Sequence, residues 1–347
     1  MRAREPVVVF HPARAFGGVE RFLALVLPHW RRRHRLTLVS TRAFLDRFQP
    51  EGVEVVPLAE ELFERRFRTW PAFFRLLRAH PGRVLVFVIS RLAIHFALVA
   101  RLLSRPVTLR YDGLLPPGAP LRALALLNRL ARRIVVPGRG VAGFLARRLG
   151  APRPRLAVLP NPFPVREAEE RLRRVSPPAG LAPRPRVLWM GRLHREKNFH
   201  LLVRAAARVR RASFLVLGDG PDRKDFGRQV QEAGLEGRFS FLGFQRDVFP
   251  FLAAADAFVH TCSTEGFGYS ILEALAAGLP VVAQDCPCGP DEVLDGGRCG
   301  LLVKDANDLA FALEEVLSDR DLRLLLARRA RRRVRDFDLE RYPEEIP

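Results

Sequence analysis

The chain has 347 residues, 48% of them hydrophobic, with 58 basic against 37 acidic side chains and a formal net charge of +21. That length and apolar content supply cores for two ordinary domains and exclude a disordered chain. No run of eighteen apolar residues occurs, and the opening MRAREPVVVFHPARAFGG has no small-residue cleavage site, so a cytoplasmic chain without a membrane span is expected.

From the N-terminus, short β-rich runs alternate with helix-length segments. The runs are PVVVF (6–10), LTLVS (36–40), VEVVPL (53–58), RVLVFVIS (83–90), PVTLRY (106–111), RRIVVP (132–137) and LAVLPN (156–161), separated by stretches such as GVERFLALVLPHWRRR and RLAIHFALVARLL. Strand followed by helix, repeated, predicts a parallel sheet covered on both faces. The stretch ELFERRFRTWPAFFRLLRAH (61–80) sets six basic residues among Phe63, Phe67, Trp70, Phe73 and Phe74. Rings flanked by arginines suit a bilayer interface; a helix whose phenylalanines face a core would carry the same residues.

Residues 161–186, NPFPVREAEERLRRVSPPAGLAPRPR, are rich in proline and charge and read as a linker. The alternation restarts with RVLWMG (186–191), FLVLGDG (214–220), FSFLG (239–243), AFVHT (257–261), PVVAQ (280–284) and CGLLV (299–303), then closes on a basic helical segment containing RRARRRVRDF. The expected architecture is α/β, with two doubly wound, Rossmann-like parallel-sheet domains facing across a cleft. The boundaries expected are a first domain at 1–165, a linker at 166–185, a second domain at 186–330 and a helical tail at 331–347 returning toward the first. Ligands of such sheets bind beyond the strand carboxyl ends.

Charge divides the chain unevenly. Residues 1–180 carry 33 Lys and Arg against 12 Asp and Glu, whereas residues 181–347 carry 25 against 25, so the whole excess of 21 sits in the first half. Such a half suits nucleic acid, an anionic membrane or a polyanionic substrate. Fifty-five arginines against three lysines also fit the codon bias of a GC-rich genome. The four cysteines, Cys262, Cys286, Cys288 and Cys299, lie in the second half, and CPC lacks the two-residue spacing of a zinc knuckle or thioredoxin site. Free thiols and no metal are expected.

The stretch HTCSTEGFGYSILEALAAG predicts a strand, a loop, then a helix from near Gly268 to Gly278. Gly266 and Gly268 let the backbone approach a ligand, and the helix start offers N–H groups to an anion. In GRLHREKN (191–198), Arg192 and Lys197 follow another strand end, where fixed cations can meet the charge of a departing nucleoside diphosphate without a metal. Glu273 is placed to accept hydrogen bonds from a vicinal diol such as a ribose. Glu265 precedes the glycine loop, placed to contact a sugar on the other side of the diphosphate. Cations and amides would hold the diphosphate, and acids the sugars at either end.

Glu265 and Glu273 within EGFGYSILEALAAGLPVVA, together with GRLHREKN, LGDGP and the early FGGVE, resemble the donor-site motifs of the retaining GT-B glycosyltransferases of family 4. The similarity covers nearly the whole chain and is strongest over residues 186–303. DCPCGPDEVLDGGRCGLLV further resembles the branch that adds hexose or N-acetylhexosamine units to lipid-linked glycans. The resemblance implies a nucleotide-sugar donor, UDP-sugar favoured, held by the C-terminal domain, and a glycan or lipid-linked acceptor held by the N-terminal one. It implies transfer with retention in cell-envelope polysaccharide or glycoconjugate synthesis, with no metal and no cofactor. The leaving phosphate would help to deprotonate the acceptor hydroxyl.

Carried onto this chain, the resemblance implies that Arg192 and Lys197 bind the diphosphate and Glu273 the ribose. Glu265 and the Gly266, Phe267 and Gly268 backbone would contact the transferred sugar, and Glu265, Arg192 and Lys197 form the catalytic set. Gly218 and Gly220 of LGDGP would lie near the base, and Gly17 and Gly18 would close over phosphate from the opposite wall. Many family members end a first-domain strand with a histidine near the reacting sugar; this chain reads TLRYDG there, so Asp112 or Tyr111 takes that place. Asp112 and His95 are the acceptor-side candidates, a core role being the other reading of His95. The implied partners include an anionic membrane, met peripherally at the inner face of the cell membrane through the basic half, and no nucleic acid.

Other readings stay open: a GT-B phosphorylase, a nucleotide-sugar epimerase and, from a different class, a basic nucleic-acid-binding protein, for which no zinc finger or RRM pattern is present. A metal-dependent GT-A transferase would place a DxD pair at a strand end. DRD (319–321) and DFD (336–338) have the string but fall in polar terminal helices.

Overall fold

The computed structural model describes residues 4–12, 18–63, 69–115 and 118–346. The chain divides into two compact units, one formed by residues 1–162 with 341–347 and the other by residues 163–340.

The first unit is built on β1 (Glu5–His11), β2 (His34–Thr41), β3 (Glu54–Leu58), β4 (Arg83–Phe87), β5 (Val107–Arg110), β6 (Arg133–Val136) and β7 (Leu156–Val158), in the order β3-β2-β1-β4-β5-β6-β7. All pairings are parallel; Val8, for example, lies opposite Thr37 on one side and Val84 on the other. Because helices cover both faces, the central strands read as unbroken apolar runs, and Val7 to Phe10 are buried. The ring of Phe10 stacks on Phe96 at 3.9 Å and meets the edge of Phe73 at 5.6 Å. Phe73, one of the rings that suited a bilayer, therefore belongs to the core, Trp70 stays exposed, and residues 64–68, Phe67 included, lie outside the described residues.

The second unit contains β8 (Arg186–Met190), β9 (Ser213–Leu217), β10 (Phe239–Gly243), β11 (Ala257–His260), β12 (Val281–Gln284) and β13 (Leu301–Val303), again all parallel, in the order β10-β9-β8-β11-β12-β13. Its core on one face joins Trp189, Phe199 and Phe226, the last two stacked at 4.5 Å. In each sheet the winding reverses once, between β1 and β4 and between β8 and β11. At such a reversal the helices diverge to opposite faces and leave a crevice beyond the strand carboxyl ends.

The segment expected as a linker folds with the second unit: helix Val165–Arg174 buries Val165 and Ala168 and packs on helix Tyr269–Ala277. The expected tail divides. Helix Arg320–Arg333 stays with the second unit, where Asp319 of DRD caps it by accepting from the N–H groups of Asp321 and Leu322. Residues 341–347 join the first unit. There Tyr342 lies buried against Phe22 and Trp30, and its carbonyl is 2.7 Å from His29 Nε2. Burial pushes the Tyr342 phenol up to about 12.

Tyr342→Ala removes this ring from a filled core and should destabilise the first unit by about 3 kcal/mol. Urea unfolding followed by tryptophan fluorescence measures it. An unchanged transition would exclude the tail from that core.

Candidate active site

β8 and β11 pair directly, with Trp189 opposite Val259. The loops leaving their carboxyl ends, 191–198 and 261–268, therefore emerge side by side. Short-range bonds weld them. Thr261 Oγ1 donates to the Lys197 carbonyl at 2.7 Å and accepts from Trp189 Nε1 at 3.0 Å, while the Ser263 N–H reaches the Glu196 carbonyl at 3.1 Å. Cys262 Sγ lies 2.8 Å from the Thr264 carbonyl and 3.3 Å from that of Glu196, so its S–H can serve either.

This weld brings Lys197 Nζ to 2.9 Å from Glu265 Oε2. His260 Nε2 stands 3.3 Å from the same oxygen, and Glu265 Oε1 accepts the N–H of Gly266 at 3.2 Å. The two charged side chains are 28% and 19% exposed, enough for ligand access and too little for full screening. Burial alone pushes the Glu265 carboxyl up, but the hydrogen bond from His260 and the charge of Lys197 outweigh it and hold the group well below the usual carboxylate range. Burial likewise pulls Lys197 down, and the carboxylate beside it more than restores the ammonium. Near neutral pH the site presents one fixed cation and one fixed anion. The Cys262 thiol, pushed up to about 11 by burial and then by Glu265, stays protonated.

His260, Cys262 and Glu265 place a nitrogen, a sulfur and an oxygen within 4.8 Å of one another, a donor set that suits a thiophilic divalent ion. The Lys197 ammonium already lies against that oxygen and, at 3.5 Å, against the sulfur. All four cysteines are free and buried.

Gly218 and Gly220 work through backbone approach. Gly218 has φ +127°, and a Cβ there would fall 1.9 Å from the Gly191 carbonyl oxygen; one on Gly220 would fall 2.4 Å from that of Leu193. The two loops exchange bonds, Leu193 N–H to Asp219 O and Asp222 N–H to Leu193 O, both at 3.0 Å. Asp222 Oδ2 also accepts from the Arg195 N–H at 2.6 Å. LGDGP thus fixes the shape of the segment that carries Arg192, which is exposed, and Lys197.

Helix Tyr269–Ala277 starts after Gly268, at φ +102°, and no side chain caps it, so its first N–H groups remain an anion-favouring terminus. Glu273 is buried in the second turn of this helix. The ring of Phe267 is buried edge-on to Phe337 at 5.5 Å, which leaves its backbone as the part open to the loop.

In the first unit, Asp112 Oδ1 accepts from Arg110 Nε at 2.8 Å, and its buried Oδ2 has no hydrogen-bond partner. Tyr111 does not take the acceptor place: it is buried, and its hydroxyl donates to Asn128 Oδ1 at 2.7 Å. His95 lies on helix Arg91–Leu102, half-buried. Gly17 is outside the described residues, and Gly18 is the exposed first residue of helix Gly18–Trp30. The sequence names Cys262 only as a free thiol and does not single out His260; the available signal is their position at and just beyond a strand end that feeds the glycine loop.

Comparison with known proteins places the chain in a family. The family described as Glycosyl transferases group 1 matches residues 184–319, and that described as Glycosyltransferase Family 4 matches residues 16–167. The chain belongs to the family 4 glycosyltransferases. It is 41% identical over 150 residues to the lipopolysaccharide core biosynthesis glycosyltransferase LpsE of Rhizobium meliloti, covering 43% of this chain and 44% of that one. It is 31% identical over 155 residues to the N-acetylgalactosamine-N,N'-diacetylbacillosaminyl-diphospho-undecaprenol 4-alpha-N-acetylgalactosaminyltransferase of Campylobacter jejuni, covering 44% and 42%. The matches thus span less than half the length of these relatives. The fold matches the crystal structure of Anabaena HepE in complex with UDP at a TM-score of 0.81, with 22% identity over 96% of each chain. The fold is GT-B.

A carboxyl whose folded value is depressed contributes stability above its ordinary value of 4.5, and that contribution fades as the pH falls below it. Glu265→Gln should therefore flatten the loss of second-unit stability between about pH 5 and pH 3. Urea midpoints across that range test this. Parallel curves for both proteins would mean that the carboxylate gains nothing from Lys197 and His260.

Proposed function

We propose that the protein transfers a hexose or N-acetylhexosamine from a nucleotide sugar, UDP-sugar favoured, to a glycan or lipid-linked glycan, with retention and without a metal. The observation that carries this reading is the Lys197–Glu265 pair beside an uncapped, glycine-led helix start at the reversal of the second sheet. The activities of the Rhizobium and Campylobacter relatives and the UDP bound by HepE support the substrate class.

In this mechanism Lys197, Arg192 and the N–H groups of the helix start neutralise the diphosphate as the bond from the anomeric carbon to its phosphate oxygen breaks. Glu273 accepts from the ribose hydroxyls. Glu265, already ionised, accepts from a hydroxyl of the transferred sugar and opposes the positive charge developing on its ring. The acceptor oxygen bonds to the anomeric carbon on the face the phosphate leaves, and its proton passes to that phosphate. Gly17 and Gly18, Asp112 and His95 are proposed for the first-unit side of the reaction, Asp112 offering its unpaired Oδ2 to an acceptor hydroxyl.

The acceptor reading extends to the membrane. Among the described residues no helix is long and apolar enough to cross a bilayer. Residues 65–166 contain twenty arginines and one acid, Asp112. On helix Leu121–Leu130, Leu126 and Leu130 are 53% and 37% exposed and share a face with Arg122 and Arg129. Apolar side chains interleaved with arginine suit peripheral contact with anionic lipid.

Arg192→Ala and Lys197→Ala should each lower kcat about a hundredfold, roughly 3 kcal/mol of lost charge stabilisation, in an assay that persists in excess EDTA. Glu273→Gln should weaken UDP binding by about 1.5–3 kcal/mol, whereas Glu265→Gln should impair turnover and leave UDP affinity nearly unchanged. Titration calorimetry and a nucleotide-sugar panel decide; wild-type turnover in both cation variants, or a strict Mg²⁺ requirement, would overturn the mechanism.

For the membrane, a Leu126→Glu, Leu130→Glu double variant should lose several-fold in co-sedimentation with phosphatidylglycerol-containing vesicles. Equal wild-type binding to neutral vesicles, or an unaffected double variant, would refute that surface.

A further inference from the structure

We propose that His260 is a positioning residue for the reaction, the group that keeps the Glu265 carboxylate aimed when Lys197 turns to the donor phosphate. This rests on the reading above that Glu265 contacts the transferred sugar and Lys197 the diphosphate.

Lys197 has two claims on its ammonium. In the protein alone Nζ sits 2.9 Å from Glu265 Oε2, and the donor's diphosphate would draw the same charge toward itself. Any lengthening of that pair leaves Glu265, on a loop just ahead of Gly266, with a charge that still needs a fixed partner. The imidazole supplies one. His260 Nε2 is 3.3 Å from the oxygen that Lys197 also contacts, so both donors act on Oε2. Oε1, bonded to the Gly266 N–H at 3.2 Å, keeps accepting capacity for a substrate hydroxyl.

The two side-chain partners of Glu265 differ in how they are held. Lys197 ends the single 3-10 turn Arg195–Lys197 and Glu265 lies on a loop, whereas His260 ends β11, in register with Ala283 of β12, and its side chain is only 4% exposed. A group fixed by strand pairing holds its geometry more closely than one on a loop. Its Nδ1 is buried and has no hydrogen-bond partner, whereas Nε2 faces Glu265, so the polar contact of the ring is directed at that carboxylate. Neighbouring Cys262 meets Lys197 and backbone carbonyls. His260 is thus the side chain placed to hold Oε2 independently of the lysine.

The test compares His260→Leu, which removes the donor, with His260→Gln, whose amide N–H can reach the same oxygen without titrating. His260→Leu should lower kcat on the intact nucleotide sugar roughly ten- to a hundredfold, the range spanned by hydrogen bonds to charged groups. Affinity for free UDP should stay within about twofold, and His260→Gln should recover most of kcat. If the leucine variant does not fold, His260→Asn, whose shorter amide falls short of Oε2, replaces it in the comparison with Gln.

Glu265→Ala is measured alongside. Wild-type kcat in His260→Leu with an inactive Glu265→Ala would overturn the positioning role and leave the role of Glu265 intact. A Glu265→Ala variant with wild-type turnover would overturn both. Loss of UDP affinity in proportion to kcat, unrescued by glutamine, would reduce His260 to a structural residue and likewise defeat the proposal.

Discussion

The Lys197–Glu265 pair depends on a sheet order that no local segment encodes. The two residues are 68 positions apart and meet because β8 and β11 are neighbours whose parallel strands end on the same side. Their loops are then tied through the Trp189, Thr261 and Lys197 chain and through the Ser263 and Cys262 bonds to the Glu196 carbonyl. Two opposite charges held this close, with limited exposure, keep each other ionised, and removing one would strand the other. The proposed chemistry uses that mutual dependence: a cation ready for phosphate and an anion ready for a sugar, both fixed before a ligand arrives.

Glycine supplies the second constraint. At Gly218 and Gly220 any side chain would strike the backbone of the 191–193 segment, so the LGDGP loop can brace that segment only in this form. Gly268 has the different task of ending the loop at positive φ and starting a helix without a capping side chain. The same residue type thus serves close packing in one loop and an exposed helix terminus in the other.

The charge of the first unit is not all of one kind. Arg110 is buried, paired with Asp112 and lying over the Phe22 ring at 3.8 Å. Arg105 donates to the His80 carbonyl at 2.6 Å and Arg155 to that of Ala131 at 2.9 Å, satisfying backbone acceptors at element ends. These arginines hold the fold, while Arg122 and Arg129 are exposed beside exposed leucines.

The thirteen strands among the described residues were legible as short apolar runs, because a sheet buried on both faces needs them continuous. The reading overran at carboxyl ends: RVLVFVIS stops at Phe87 and FLVLGDG at Leu217, since the residues that follow leave the ladder to form crevice loops. The sequence by itself determined the tandem α/β architecture, the glycine loop, the helix from Gly268 to Gly278 and the candidate status of Arg192, Lys197, Glu265 and Glu273, all of which are local patterns. Only the tertiary structure decided that Lys197 bonds Glu265, that His260 shares the same oxygen, that Tyr111 and the ring of Phe267 are core, and that Tyr342 closes the first unit. Those outcomes turn on which strands become neighbours and which side chains are then buried together, and such contacts leave no period in the sequence.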